Sequence, residues 1–206
     1  MRLVDRDGLE SLSMRKLAQE LEIDPMSLYN YVENKDALLD GLAELLWAEI
    51  DLPHDDLGWE DMLRSIAGSL RGLACIHPHA YSLLLSRQVI PQSSLRLSDV
   101  ALQRLQRAGF EREQAARIVC TMLAYALGYG IVELSSLGFD QPGQAAEAAT
   151  DLEQLMRIIQ SLPRDTPPPL VEVARLICGC DMDMQFTFGL DLLLRGIKDL
   201  GVETTV

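Results

Sequence analysis

The chain has 206 residues, 48% of them hydrophobic, and a formal net charge of −13. That apolar share suffices for a sizeable core, while the acidic balance argues against a broad nucleic-acid-coating surface or an anionic-membrane role. No secretory signal and no run of about 18 apolar residues is legible, so a cytoplasmic protein that does not span a membrane is expected.

Leu and Ala dominate and β-branched runs are rare, which predicts an all-α fold. Cys75, Cys120, Cys178 and Cys180 form no zinc pattern. Cys178-Gly179-Cys180, followed by Asp181 and Asp183, is a weak metal or redox motif, and reduced thiols are the simpler reading. No Gly-rich phosphate loop is present, and His54, His77 and His79 have no Ser or Cys set beside them in a catalytic pattern. Neither a cofactor, a metal site nor an enzymatic activity is expected.

In chain order, Leu3 and Val4 read as the end of a helix. Met14, Leu17, Ala18 and Leu21 then recur at i, i+3, i+4 and i+7, the stripe of a short amphipathic helix, with Ser13 as its N-cap. Glu22, Ile23 and Asp24 separate it from a second helix, which Asp24 can cap and Pro25 can begin. Two short helices joined so tightly form a helix-turn-helix, whose second helix enters the DNA major groove. Met26, Ser27, Tyr29 and Tyr31 on that helix offer hydroxyls and apolar surface for phosphates, base edges and thymine methyls. Asn34 caps a third helix and places Lys35 in its first turn, beside N–H groups that favour a phosphate. Against this, residues 1–40 hold five basic side chains and nine acidic ones.

The third helix is expected over residues 35–50, with Leu38, Leu42, Leu45 and Leu46 on one face. Pro53 and Gly58 break the chain, and a long helix follows over 59–76. His77-Pro78-His79 makes a corner. Pro78 can begin a helix to Arg87 with Tyr81, Leu84 and Leu85 inside. Another helix starts near Pro91, Ser93 and Ser94 and ends at Ala108-Gly109. Residues 111–137 form a helix apolar nearly all round, with Ala124, Gly128 and Val132 four apart, so a second helix can approach closely. A linker with Pro142 and Gly143 leads to a weaker helix over 151–162. Pro163 and Pro167-Pro168-Pro169 interrupt it. A last helix covers 184–200, with Phe186, Phe188, Leu190, Leu193, Leu194 and Ile197 as its apolar residues.

Met14-Arg15-Lys16-Leu17-Ala18, Leu28-Tyr29-Asn30-Tyr31-Val32, the Asn34-Lys35-Asp36-Ala37-Leu38-Leu39 helix start and the final helix from Phe186 to Ile197 together resemble the tetracycline-repressor family. The resemblance implies a helix-turn-helix DNA-binding domain over residues 1–47 and a helical ligand-binding and dimerisation domain over 48–206. It implies a ligand-responsive transcriptional regulator, a repressor that a small molecule releases from operator DNA. Ser13, Arg15, Met26, Ser27, Tyr29, Tyr31 and Lys35 are the expected operator contacts. Met62, Ile66, Leu70, Tyr81, Met122, Tyr125 and Tyr129 are the expected pocket wall, suited to an apolar or aromatic effector, although such residues also suit plain core packing. A homodimer is expected through the helices at 111–137 and 184–200. Two departures stand out. Glu22 occupies a turn position where the family has Gly, and the family's full first helix is represented only by Met1 to about Arg6. A truncated first helix is therefore expected, with a dimeric ligand-binding protein of impaired DNA binding as the alternative reading.

Overall fold

The computed structural model describes residues 1–87, 89–136, 160, 161, 163, 167–178 and 181–202. Among these the secondary structure is entirely helical. The chain forms two compact units, Met1–Ile131 and Val132–Val206.

In the first unit, α1 (Arg2–Asp7) buries Leu3 and Val4. The helix-turn-helix follows as α2 (Met14–Glu20) and α3 (Pro25–Leu28), which pack on each other. Their starts are set by local capping. Ser13 Oγ accepts from the Lys16 N–H at 3.2 Å, and an Asp24 carboxylate oxygen accepts from the Met26 N–H at 2.7 Å. Asn34 caps α4 (Lys35–Ala48) by accepting from the Ala37 N–H at 2.9 Å. The turn between α2 and α3 passes through Glu22 at φ 54°, the one non-Gly residue with positive φ among those described.

Beyond α4, α5 (Trp59–Ile76) matches its expected bounds and buries Met62, Leu63, Ile66, Ala67, Leu70, Leu73 and Ala74. That spacing is the core face of an amphipathic helix. Then come α6 (Leu83–Ser86), α7 (Gln92–Arg107) and α8 (Arg112–Ser136). Gly109, at φ 100°, supplies the left-handed turn after α7 that the sequence predicts. By length and composition α8 could cross a membrane. Instead, Ala115, Ile118, Val119, Met122, Ala126 and Leu127 are buried, as in a core helix. α4 packs on both α6 and α7. The segment expected to bind DNA thus shares one packing unit with the helices that follow it, so this division by packing differs from the expected division by role at residues 47 and 48. The second unit contains α9 (Pro168–Cys178) and α10 (Met182–Val202), in which Phe186, Leu190, Leu194 and Ile197 are buried.

Several expectations are corrected. α3 is a single turn. Tyr29 and Tyr31 lie in the turn that continues it, where Asn30 and Tyr31 donate to the carbonyls three residues back. The helix expected from Pro78 is a run of turns before the short α6. Tyr81 and Leu84 are buried, but Leu85 is exposed and Leu83 takes the inner position. Leu45 and Phe188 are exposed, because 100° per residue carries each off the buried face. α8 is exposed along one stripe, at Cys120, Thr121, Ala124, Gly128 and Val132. The proline run begins α9 rather than ending a helix. Proline has no N–H to lose in a first turn, and Pro168 opens the helix. The linker at 142–143, most of the expected helix at 151–162 and the Gly179-Cys180 half of the cysteine motif lie outside the described residues.

Candidate nucleic-acid interface and ligand cleft

The caps of α2, α3 and α4 orient one exposed face. Ser13, Arg15, Met26, Ser27, Tyr29, Tyr31 and Lys35 are all exposed, with Met26 at 73% and Tyr31 at 84%. Ser13 Oγ also serves as the α2 cap, so one of its lone pairs is already engaged.

The acidic excess of this segment is largely consumed internally. Arg6 reaches both Asp7 and Glu20, and Lys16 Nζ pairs with Asp7 at 2.8 Å. The hydrogen bonds from Arg6 and Lys16 hold the Asp7 carboxyl well below the usual carboxylate range. Asp5 pairs with His77, and Asp36 and Asp40 pair with Arg87. Arg15 and Lys35 make no ion pair among the described residues and remain available to an external anion.

Three contacts tie α4 to the helices beyond it. Arg87 Nε donates to Asp40 at 2.6 Å, and Nη2 reaches the carboxylate and carbonyl of Asp36 at 3.3 Å. Glu44 accepts from the N–H and the hydroxyl of Ser93, in the first turn of α7. His77, at the C-cap of α5, places Nδ1 2.9 Å from Asp5 and Nε2 2.8 Å from Glu49 at the C-cap of α4. Burial opposes its charge, but the bonds to Asp5 and Glu49 outweigh it and raise its pKa above the usual imidazole value.

Within the same unit a small cleft of about 10 Å³, partly open to solvent, lies between α5, α7 and α8. Leu63 and Ile66, then Leu97, Ser98 and Ala101, then Val119, Met122 and Leu123 line it. The walls are almost wholly apolar. Of the seven residues expected in a pocket wall, the structure puts Ile66 and Met122 on the cleft. Met62, Leu70 and Tyr81 are fully buried packing residues. Tyr81 lies against α8 with Oη 3.4 Å from the Leu127 carbonyl. Tyr125 and Tyr129 are half-buried further along α8, their ring centroids 5.8 Å apart. Sequence reasoning missed the α7 wall. Leu97 and Ala101 carry the four-residue spacing of a helix face, but that spacing does not say which face meets a cleft. The described residues include no group of His, Cys, Asp or Glu arranged to hold a metal.

The family model described as tetracyclin repressor-like, C-terminal domain matches residues 52–200. The chain belongs to the tetracycline-repressor family. Among its relatives, an HTH-type transcriptional regulator of Saccharopolyspora erythraea is 33% identical over 127 residues, 61% of this chain and only 54% of that protein's length. The class E tetracycline repressor of Escherichia coli is 29% identical over 199 residues, 95% of this chain and 85% of that protein. The crystal structure of the family member ActR from Streptomyces coelicolor in complex with actinorhodin aligns with a TM-score of 0.76 at 28% identity, covering 97% of this chain and 92% of that one. This family member is therefore a transcriptional regulator of helix-turn-helix type, all-α, with a helical domain following the DNA-binding helices.

Proposed function

We propose that this protein represses transcription as a homodimer in the cytoplasm and leaves its operator when a small apolar or aromatic molecule enters the cleft between α5, α7 and α8. Residues 1–47 contact DNA, through Arg15 and Lys35 on phosphates and Met26, Ser27, Tyr29 and Tyr31 toward the bases. Residues 48–206 bind the effector and dimerise. The relatives support this reading: one is a repressor named for tetracycline, and another was crystallised with actinorhodin. The observation that carries the DNA half is the division of charge. Five of the nine acidic groups in residues 1–40 sit in ion pairs, whereas Arg15 and Lys35 face solvent beside exposed Met26 and Tyr31.

A molecule of drug size needs a pocket of roughly 300 Å³ or more. The cleft holds only about 10 Å³, room for roughly one water, so an effector must move a wall. α7 is the wall held to α4 by Ser93 and Glu44. Displacing it shifts α4 and with it the spacing of the two recognition helices in a dimer. Release follows to the extent that the effector prefers the displaced form. The exposed stripe of small residues on α8 suits close approach of a second copy.

The test is selection of bound sequences from a random DNA library, followed by affinity against salt. A near-palindromic site is expected. Lys35→Ala should lower the slope of log affinity on log salt by about one. No enriched sequence, or an unchanged slope, overturns the DNA reading, and a monomer at micromolar concentration by sedimentation overturns the dimer.

A further inference from the structure

His77 stands where the two ends of the DNA-binding segment meet. Its Nδ1 lies 2.9 Å from Asp5 on α1, and its Nε2 lies 2.8 Å from Glu49 at the C-cap of α4. Asp5 and Glu49 are the charges that face the ring. The corner that carries the ring is itself fixed. The His77 N–H donates to the Leu73 carbonyl at 2.8 Å, and the His77 carbonyl accepts from the N–H groups of Ala80 and Tyr81 at 3.0 and 2.9 Å. Tyr81 is fully buried against α8. One arm of the contact continues into the helix-turn-helix, because the Arg6–Glu20 and Lys16–Asp7 ion pairs join α1 to α2. The other arm fixes the end of α4, the helix whose first turn carries Lys35.

An imidazole donates to both carboxylates only when both of its nitrogens carry protons. A neutral ring donates once and turns a lone pair toward the second carboxylate, so one arm must open. The Glu49 side chain is 40% exposed against 28% for Asp5, so water replaces that arm more readily. Resting on the DNA reading above, we propose that His77 is a positioning residue for operator binding. Protonated, it clasps α1 and α4 to the corner after α5 and holds the helix-turn-helix in one orientation. Deprotonated, it releases Glu49 and lets that orientation vary. Two recognition helices must meet their half-sites together, and freedom left in the unbound protein is lost on the DNA. Operator affinity is therefore greatest with the ring charged and falls as pH rises through its titration.

The test is operator affinity of the full chain at fixed salt from pH 6 to pH 8.5, on the site selected from the random library. Circular dichroism checks that the protein is folded at each pH. Affinity should fall about fivefold or more over that range. His77→Gln should bind more weakly than the parent at pH 6 and give a flat profile. Glu49→Gln puts an amide where the carboxylate was, and that amide can donate to the bare nitrogen of a neutral ring. It should match the parent at pH 6 and hold that affinity to pH 8.5. The double variant His54→Gln, His79→Gln should keep the parent's profile. A flat profile in the unaltered protein overturns the proposal. So does a pH dependence that persists in His77→Gln or Glu49→Gln, or one that vanishes when only His54 and His79 are changed. An operator bound equally at every pH leaves the DNA reading standing and removes only the clasp. If no operator is selected at any pH, the DNA reading fails and takes this proposal with it.

Discussion

Glu44, midway along α4, accepts hydrogen bonds from both the backbone N–H of Ser93 at 3.0 Å and its hydroxyl at 2.5 Å. A carboxylate from the helix that follows the helix-turn-helix thus caps the N-terminus of α7, where unpaired N–H groups and the helix dipole favour negative charge. The Ser93 hydroxyl bond holds the Glu44 carboxyl below its ordinary range, against burial.

This pairing should appear in a double-mutant cycle. Glu44→Ala and Ser93→Ala each remove one side of the contact, so the double mutant should be more stable than the sum of the two losses predicts, by about 1 kcal/mol. Urea unfolding at neutral pH measures it. Strictly additive losses would mean that the hydroxyl bond contributes nothing and that Glu44 holds α7 through the Ser93 N–H alone. Because the folded-state pKa of Glu44 is depressed, its contribution is present above the unfolded carboxyl pKa and fades as pH falls through the folded one.

His77 has the opposite sign. With both ring nitrogens against carboxylates, it donates twice only when protonated. Its folded pKa lies above the usual value of about 6.5, so its contribution is complete below that value and is lost as pH rises through the folded pKa. The unaltered protein should lose stability from pH 6 toward pH 8 relative to His77→Gln, whose profile should be flatter there. Imidazole resonances followed by NMR should titrate late. A midpoint below 6.5 would refute the bridge.

Glu22 carries the left-handed turn between α2 and α3 with a side chain that disfavours it. A non-Gly residue pays about 1 kcal/mol there, of which glycine recovers part after its greater freedom in the unfolded chain. Glu22→Gly should stabilise the protein by roughly 0.5 kcal/mol, and Glu22→Val, β-branched, should destabilise it by about 1 kcal/mol or more. Denaturant midpoints distinguish these. A Gly variant less stable than the parent would contradict the assigned backbone.

Gly130 holds α8 against Tyr81. A β-carbon there would fall 2.7 Å from Tyr81 Cε1 and closer still to Oη, and Tyr81 is fully buried. Gly130→Ala should therefore cost about 1–3 kcal/mol by overpacking, whereas an unconstrained helical Gly→Ala would stabilise. Adding Tyr81→Leu should recover part of the loss. A more stable Gly130→Ala would show that the ring yields freely.

The readable parts of this protein are those governed by near neighbours. Ser13, Asp24 and Asn34 cap helices because their side chains bond N–H groups two or three residues on, so the starts of α2, α3 and α4 were legible. The core face of α5 and the turn at Gly109 follow from helical period and from glycine's access to positive φ. The family was legible too, because its motifs lie within short segments. Interactions across the chain were not. Asp40 and Arg87 are 47 residues apart, Glu44 and Ser93 49, and Asp5 and His77 72. No spacing rule connects them, and the charge count of residues 1–40 does not show that partners of Asp5, Asp36 and Asp40 come from outside the segment. Tertiary packing also decided that α7 rather than Leu70 or Tyr81 walls the cleft, and that Leu45 and Phe188 face outward. Sequence period tells which residues can share a face. Only the arrangement of neighbouring helices decides whether that face meets core, cleft or solvent.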